Sequence, residues 1–164
     1  MRKNDDMRKN KGFSLIELLI VVAIILIIAV IAVPSFLRSR MAANESAAVA
    51  SLRTVNSAQI TYDSAYPTVG FASSLSALSG TSCNPPTSSS ACLIDTALAS
   101  GQRSGYSFTL TAGSGSPAGG YSAVASPILY NYSGMRYFCS FEDVVIRVSS
   151  SAITTCDASV SSQN

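Results

Sequence analysis

The stretch that decides the fold runs from Lys11 to Val33 and reads KGFSLIELLIVVAIILIIAVIAV. Every residue from Leu18 to Val33 is apolar, and the segment from Phe13 to Val33 is 21 residues long. An α-helix needs about 20 apolar residues to cross the hydrocarbon core of a bilayer. The stretch therefore predicts a membrane-spanning helix over residues 13–33.

Glu17 is the only charged residue between Phe13 and Val33. A carboxylate inside a membrane helix costs on the order of 3 kcal/mol on insertion scales. A buried charge is therefore expected to have a partner, and no residue of the stretch supplies a cation. Either Glu17 reaches the membrane interface by itself, or its partner comes from elsewhere.

The distribution of charge predicts which way the helix crosses the membrane. The twelve residues before Phe13 contain five basic and two acidic side chains, a net charge of +3, whereas the rest of the chain has six arginines and seven acids. Basic residues are retained on the cytoplasmic side of a span. The sequence thus predicts a cytoplasmic N-terminus and a following domain on the far side of the membrane. This second part is not basic, which argues against binding to nucleic acid.

The composition gives no sign of an active site. The chain has no histidine, which is the commonest general base and metal ligand, and it has neither a G-x-S-x-G motif nor a P-loop. We expect no enzyme, no cofactor and no metal site. Glu142 and Asp143 leave a calcium-binding turn open as an alternative, but a solvated turn is favoured because calcium needs six to eight oxygen ligands.

Four cysteines all follow the apolar stretch, at Cys83, Cys92, Cys139 and Cys156. They lack the C-x-x-C spacing of a zinc or redox site, and an even number in an extracytoplasmic domain predicts two disulfides. Three pairings are possible. Cys83 and Cys92 bracket a loop-rich tract that they could close.

Beyond the apolar stretch, the helical pattern continues. Pro34 predicts a kink, because proline removes a backbone hydrogen bond and clashes with the preceding turn. An amphipathic pattern follows to Tyr62, so one helix over residues 13–62 is expected, with two helices hinged at Pro34 as the alternative. The expected apolar stripe comprises Met41, Ala48, Leu52, Val55 and Tyr62, flanked by Val49 and Ile60.

Residues 63–164 are expected to form a separate globular domain rich in strands. Leu75 to Leu78 reads as a short helical turn. Four strands are predicted, at 106–111, 121–125, 136–141 and 144–148, joined by short loops. A helix followed by consecutive short strands predicts an α+β fold, with a small antiparallel sheet packed against the long N-terminal helix.

The segment Lys11-Gly12-Phe13-Ser14-Leu15-Ile16-Glu17, followed by the apolar run, resembles the N-terminus of the type IV pilin superfamily. This superfamily includes type IV pilins, pseudopilins of type II secretion and competence pilins. The resemblance implies that residues 1–12 are a leader, that prepilin peptidase cleaves after Gly12, and that the new amine of Phe13 is methylated. It implies a type IV pilin-like fold for the whole chain.

The resemblance also implies roles for single residues. Glu17 would pair with the Phe13 amine of a neighbouring subunit and set the axial register of a filament, as a lone buried polar residue does in a coiled coil. The helix near Pro34 would loosen on assembly. Many type IV pilins carry a C-terminal disulfide around a variable loop, which Cys139 and Cys156 resemble, so the preferred pairing is Cys139–Cys156 with Cys83–Cys92.

Three hypotheses of function follow. The first is a pilin held in the bacterial inner membrane with its domain in the periplasm, polymerised with copies of itself by the assembly machinery into a cell-surface pilus. The second is a pseudopilin of type II secretion. The third, of another class, is a single-pass membrane-anchored binding protein that keeps its N-terminus.

Overall fold

The computed structural model describes residues 12–80 and 83–161. Most of the predicted leader, residues 1–11, lies outside the described residues. The chain divides into two compact units between Leu37 and Arg38. The helices are α1 (Leu15–Ala65), α2 (Leu75–Leu78) and α3 (Thr96–Ala99); the strands are β1 (Gln102–Arg103), β2 (Tyr106–Ala112), β3 (Tyr121–Pro127), β4 (Tyr137–Phe141) and β5 (Arg147–Ser149).

The first unit contains the apolar half of α1. Its large hydrophobic side chains from Phe13 to Phe36 are 46–81% exposed within the single chain. Among the described residues, α1 is the one helix whose length and composition suffice to cross a membrane. An apolar helix without a partner in its own chain needs lipid or another protein around it. Pro34 lies inside α1, which runs from Leu15 to Ala65 as a single helix.

In the second unit, five strands form one sheet in the order β1-β2-β3-β4-β5, with every neighbouring pair antiparallel. β2 alternates between buried Tyr106, Phe108 and Leu110 and more exposed residues in between. This period of two gives the sheet an apolar face. That face packs against the polar half of α1, so the predicted α+β class is confirmed.

The core of this unit joins α1, the sheet and the two short helices. Four of the five residues of the predicted stripe are buried in this core, and Met41 is only partly buried. The buried residues include Ala48, Leu52, Val55 and Tyr62 of the stripe, the flanking Val49, and Leu78, Leu98, Tyr106, Phe108 and Phe138. Ile60, which was expected to flank the stripe, is half-exposed. The preceding residue, Gln59, faces the core instead, because it lies seven positions after Leu52 on the same face of the helix.

Two buried amides on α1 bind polar groups of the domain. Gln59 donates from Nε2 to the carbonyl of Ala72 at 2.9 Å, and its Oε1 accepts from the Ala72 N–H at 2.8 Å. Asn56 donates to Ser140 Oγ at 2.9 Å and accepts from the hydroxyl of Tyr121 at 3.0 Å. A buried polar side chain is tolerated only when it is hydrogen-bonded, so these amides hold the helix in one register against the domain.

Several predicted elements differ from those observed. The short helix at Leu75–Leu78 is confirmed, but β1 and α3 were not predicted. The two residues of β1 are too few for a periodic signal. The last strand begins at Arg147 rather than at residue 144. Val144 has a positive φ of 64° and donates its N–H to the Phe141 carbonyl at 2.8 Å, so it belongs to a turn.

Candidate assembly surface

The N-terminal motif lies at the start of α1. Ser14 immediately precedes the helix, and its carbonyl accepts from the N–H of Leu18 at 3.2 Å. The N–H of Ser14 donates to Glu17 Oε2 at 3.1 Å. A side chain at the third helical position that reaches back to the residue before the helix forms one half of a capping box. Glu17 therefore satisfies one of the free N–H groups at the helix start.

This local role of Glu17 was missed in the sequence. The sequence argument considered only a cation as the partner of this carboxylate, whereas in the structure a backbone N–H binds it. The signal was available: Ser14-Leu15-Ile16-Glu17 matches the S-x-x-E pattern of a helix start. No cation of the described residues pairs with Glu17 in the salt bridges of the single chain.

Gly12 and Phe13 precede the helix and are exposed. The Phe13 side chain is among the most exposed of the apolar residues, and no heavy atom lies within 4 Å of a Cβ placed on Gly12. Among the described residues, none beyond the chain neighbours of Gly12 lies against this position. Phe13 is also adjacent to Ser14, whose N–H holds Glu17.

The cysteines form two disulfides, Cys83–Cys92 and Cys139–Cys156. Cys139 on β4 and Cys156 are buried together with Val124, so this bridge belongs to a second small apolar cluster. Cys83 is exposed, and its bridge closes the loop between α2 and α3. Pro34, the remaining predicted site residue, lies within α1, and its kink stays a prediction.

Glu45 and Arg136 form a contact that the sequence did not suggest. Glu45 is buried on α1, and its Oε1 accepts from the N–H groups of Met135 and Arg136 at 2.9 and 3.2 Å. Its Oε2 accepts from Arg136 Nε at 2.7 Å and lies 2.7 Å from Nη2. These bonds fasten the loop before β4 to the helix. Residues 91 positions apart leave no local pattern that could have predicted the pair.

One of the two acids in the turn at Glu142 and Asp143 forms an ion pair. Arg147 donates to both carboxylate oxygens of Asp143, at 3.0 and 2.6 Å, and these bonds hold the pKa of Asp143 below its usual range. The N–H of Val145 donates to the same carboxylate. Within the described ranges, no group of three or more His, Cys, Asp or Glu residues is arranged to hold a metal ion.

Comparison with known proteins concerns the N-terminal motif. The family model of the prokaryotic N-terminal methylation motif matches residues 7–33. No curated protein and no solved structure matches the chain. The matched segment covers the cleavage and methylation positions expected from the sequence, together with the apolar half of α1. The chain thus carries a prepilin-type N-terminal methylation motif at the start of a long apolar helix, which supports its place in the type IV pilin superfamily.

Proposed function

We propose that the protein is the structural subunit of a type IV pilus. The observation that carries the proposal is the methylation motif, followed by an apolar helix whose side chains are exposed in the single chain. Such a helix is stable either in a bilayer or in the core of a fibre, because both keep it from water. Transfer between the two leaves the apolar surface buried, which makes assembly reversible.

The processing step supplies the missing cation. Cleavage by prepilin peptidase after Gly12 turns the amide nitrogen of Phe13 into an amine, which methylation leaves positively charged. In the fibre, that amine pairs with Glu17 of a neighbouring copy and sets the axial register of the helices. The role proposed for the chain is structural and not catalytic.

The proposal includes an arrangement in the cell. Residues 1–12 are the leader, residues 13–33 span the inner membrane, and residues 63–164 form the periplasmic domain that becomes the fibre surface. The net charge of +3 before Phe13 supports a cytoplasmic N-terminus. Copies of the chain, the peptidase, the assembly machinery of the inner membrane and, before assembly, lipid are the partners.

A pseudopilin of type II secretion is the second candidate, because the same motif and apolar helix would serve it. Two observations favour the pilin. The domain has two disulfides, and Asp143, one of the two acids considered for calcium, forms an ion pair with Arg147.

The intact mass of the mature protein tests the proposal. We expect the mass of residues 13–164 plus one methyl group, with two disulfides. A mature protein that keeps residues 1–12 would overturn the proposal in favour of a membrane-anchored binding protein. Electron microscopy of cells then separates the two remaining candidates, since only the pilin predicts long surface fibres at its native level of expression.

A further inference from the structure

We propose that residues 128–135, here called the 128–135 loop, form a second contact with the membrane before assembly. The loop would lie among the lipid headgroups near the point where the chain leaves the bilayer. This inference rests on the proposed function in one respect, namely that α1 is held in a bilayer.

The first argument is the composition of the loop. It carries five exposed apolar side chains, each 47–57% exposed, and no charged residue. Five of the nine exposed large hydrophobic residues in the described part of the second unit lie here. They are Ile128, Leu129, Tyr130, Tyr132 and Met135. Scattered exposed hydrophobics are ordinary in a soluble domain, but a concentration of this kind marks a surface that is covered by something else.

The second argument is that the loop is held in this exposed shape. Ser133 is buried, its Oγ bonds both the N–H and the carbonyl of Leu129 at 3.0 Å, and its own carbonyl accepts from Asn44 at 2.9 Å. The Glu45 carboxylate binds the N–H groups at the end of the loop. These hydrogen bonds fix the shape of the loop and keep its apolar side chains exposed. Binding a partner would therefore cost little conformational entropy.

The third argument is the position of the loop along the chain. Its contacts on α1 are Asn44, Glu45 and Arg40, whose guanidinium lies 5.9 Å from the centre of the Tyr132 ring. Arg40 follows Val33, the end of the apolar stretch, by seven residues. Chain connectivity therefore keeps Arg40 within about 25 Å of Val33. A membrane crossed by residues 13–33 is therefore separated by only a short length of chain from Arg40, which contacts Tyr132 of the loop.

The chemistry of the surface suits a lipid interface. Tyrosine is enriched at the membrane–water boundary, where its ring enters the apolar layer and its hydroxyl stays in water. Exposed Arg38 and Arg40 supply the cations that anionic headgroups attract.

A second copy of the chain is a less favoured occupant. A stable protein interface buries about 800 Å² on each partner, and five half-exposed side chains are too few for that. A membrane contact needs less area, because α1 already holds the domain at the bilayer and supplies a high effective concentration.

Tryptophan fluorescence of the full chain can test this contact, because the protein contains no tryptophan. The Tyr132→Trp variant is reconstituted in vesicles of phosphatidylcholine and phosphatidylglycerol, with and without lipids brominated near the headgroup. We expect the emission of Tyr132→Trp to be shifted to the blue in both kinds of vesicle and to be largely quenched where the lipids are brominated. The matched control is Ile60→Trp, which is equally exposed but lies 27 residues beyond Val33 on α1. It should keep its emission.

A further variant, Leu26→Trp, reports on the apolar helix itself. If lipids brominated deep in the acyl chains quench Leu26→Trp, but headgroup-brominated lipids quench Tyr132→Trp no more than Ile60→Trp, the loop contact is refuted while the membrane stage of the proposed function stands. If Leu26→Trp is not quenched, the membrane stage fails, and the loop contact fails with it. A blue shift of Tyr132→Trp that bromine does not quench, and that rises with the protein-to-lipid ratio, would assign the loop to a second copy.

Discussion

Under the proposed processing, Glu17 would have different partners before and after cleavage. In the uncleaved chain its carboxylate binds the N–H of Ser14 and completes the first turn of α1. In the proposed fibre it pairs with an amine that cleavage creates one residue away from Ser14. A single side chain would therefore stabilise the helix start in the membrane and the contact between subunits in the fibre.

Substitution of Glu17 can separate these two roles. Glutamine also serves at the third position of a capping box, so Glu17→Gln keeps the local bond to Ser14 but removes the charge. We expect Glu17→Gln and Glu17→Ala both to abolish or greatly reduce surface fibres, counted by electron microscopy, while the protein stays in the inner-membrane fraction. Normal fibres from Glu17→Gln would contradict the charge pairing and leave only the capping role.

The ion pair of Asp143 with Arg147 predicts a pH dependence of stability. Hydrogen bonds from the nearly buried Arg147 lower the pKa of Asp143 below the ordinary value of about 3.9. The stabilisation is therefore complete above the ordinary pKa and is lost as the pH falls through the lowered one. Asp143→Asn should lower the free energy of unfolding at neutral pH by about 1 kcal/mol, a value discounted for solvent screening.

Urea unfolding of the full chain in detergent measures this effect, with the near-ultraviolet circular dichroism of the tyrosines as the signal. The difference between Asp143→Asn and wild type should shrink from neutral to acid pH, as the pH falls through the lowered pKa of Asp143 and the carboxylate is protonated in both states. Asp63→Asn is the control, since Asp63 makes no salt bridge within the described residues. An equal destabilisation at both pH values would mean that packing, and not charge, accounts for the loss.

At the scale of elements, α1 is one helix with two surroundings. Its first half exposes apolar side chains on every face, whereas its second half buries one face that includes the polar residues Glu45, Asn56 and Gln59. Each of these three binds a different part of the domain. The helix is therefore fastened to the sheet and loops by specific hydrogen bonds as well as by apolar packing.

Removal of the Glu45 carboxylate should release the loop before β4. Glu45→Ala leaves the N–H groups of Met135 and Arg136 and the Arg136 guanidinium without their acceptor, so we expect a loss of about 2–4 kcal/mol in the free energy of unfolding. Urea unfolding in detergent provides the measurement. Glu142→Ala, which removes an exposed acid, should change stability by less than about 0.5 kcal/mol. Equal effects of the two substitutions would show that the contact with the loop does not stabilise the domain.

At the scale of the whole molecule, a membrane-type helix is combined with a small domain rich in serine and glycine. The core of the second unit is limited, so covalent links make a larger relative contribution to its stability. The Cys139–Cys156 bridge joins the sheet to the C-terminal segment within an apolar cluster. The Cys83–Cys92 bridge closes a shorter, more exposed loop.

The two disulfides are expected to differ in their effect on stability. Replacing both Cys139 and Cys156 by serine should cost about 2–4 kcal/mol, because a closed loop of 17 residues is opened and a buried cluster loses its sulfur atoms. The matched pair Cys83→Ser with Cys92→Ser opens a loop of 9 residues at the surface and should cost less. Thermal unfolding of the full chain in detergent would rank them, and the reverse order would contradict this account.

The candidate site could be predicted from the sequence where its signal is local. Gly12, Phe13 and Glu17 lie within six consecutive residues in a fixed pattern, and the family model matches that same segment. The partner of Glu17 in the single chain could also have been found there, in Ser14. The pairs that hold the domain could not, because Glu45 with Arg136 and Asn56 with Ser140 are separated by 91 and 84 residues.

The sequence by itself determined the apolar helix, the processing motif and the α+β class, since each depends on composition and on periods of a few residues. The tertiary structure alone decided that Gln59 rather than Ile60 faces the core, that β5 starts at Arg147, and that residues 128–135 display their apolar side chains next to Arg40. These features depend on contacts between residues that are far apart in the sequence, and local sequence patterns do not predict such contacts.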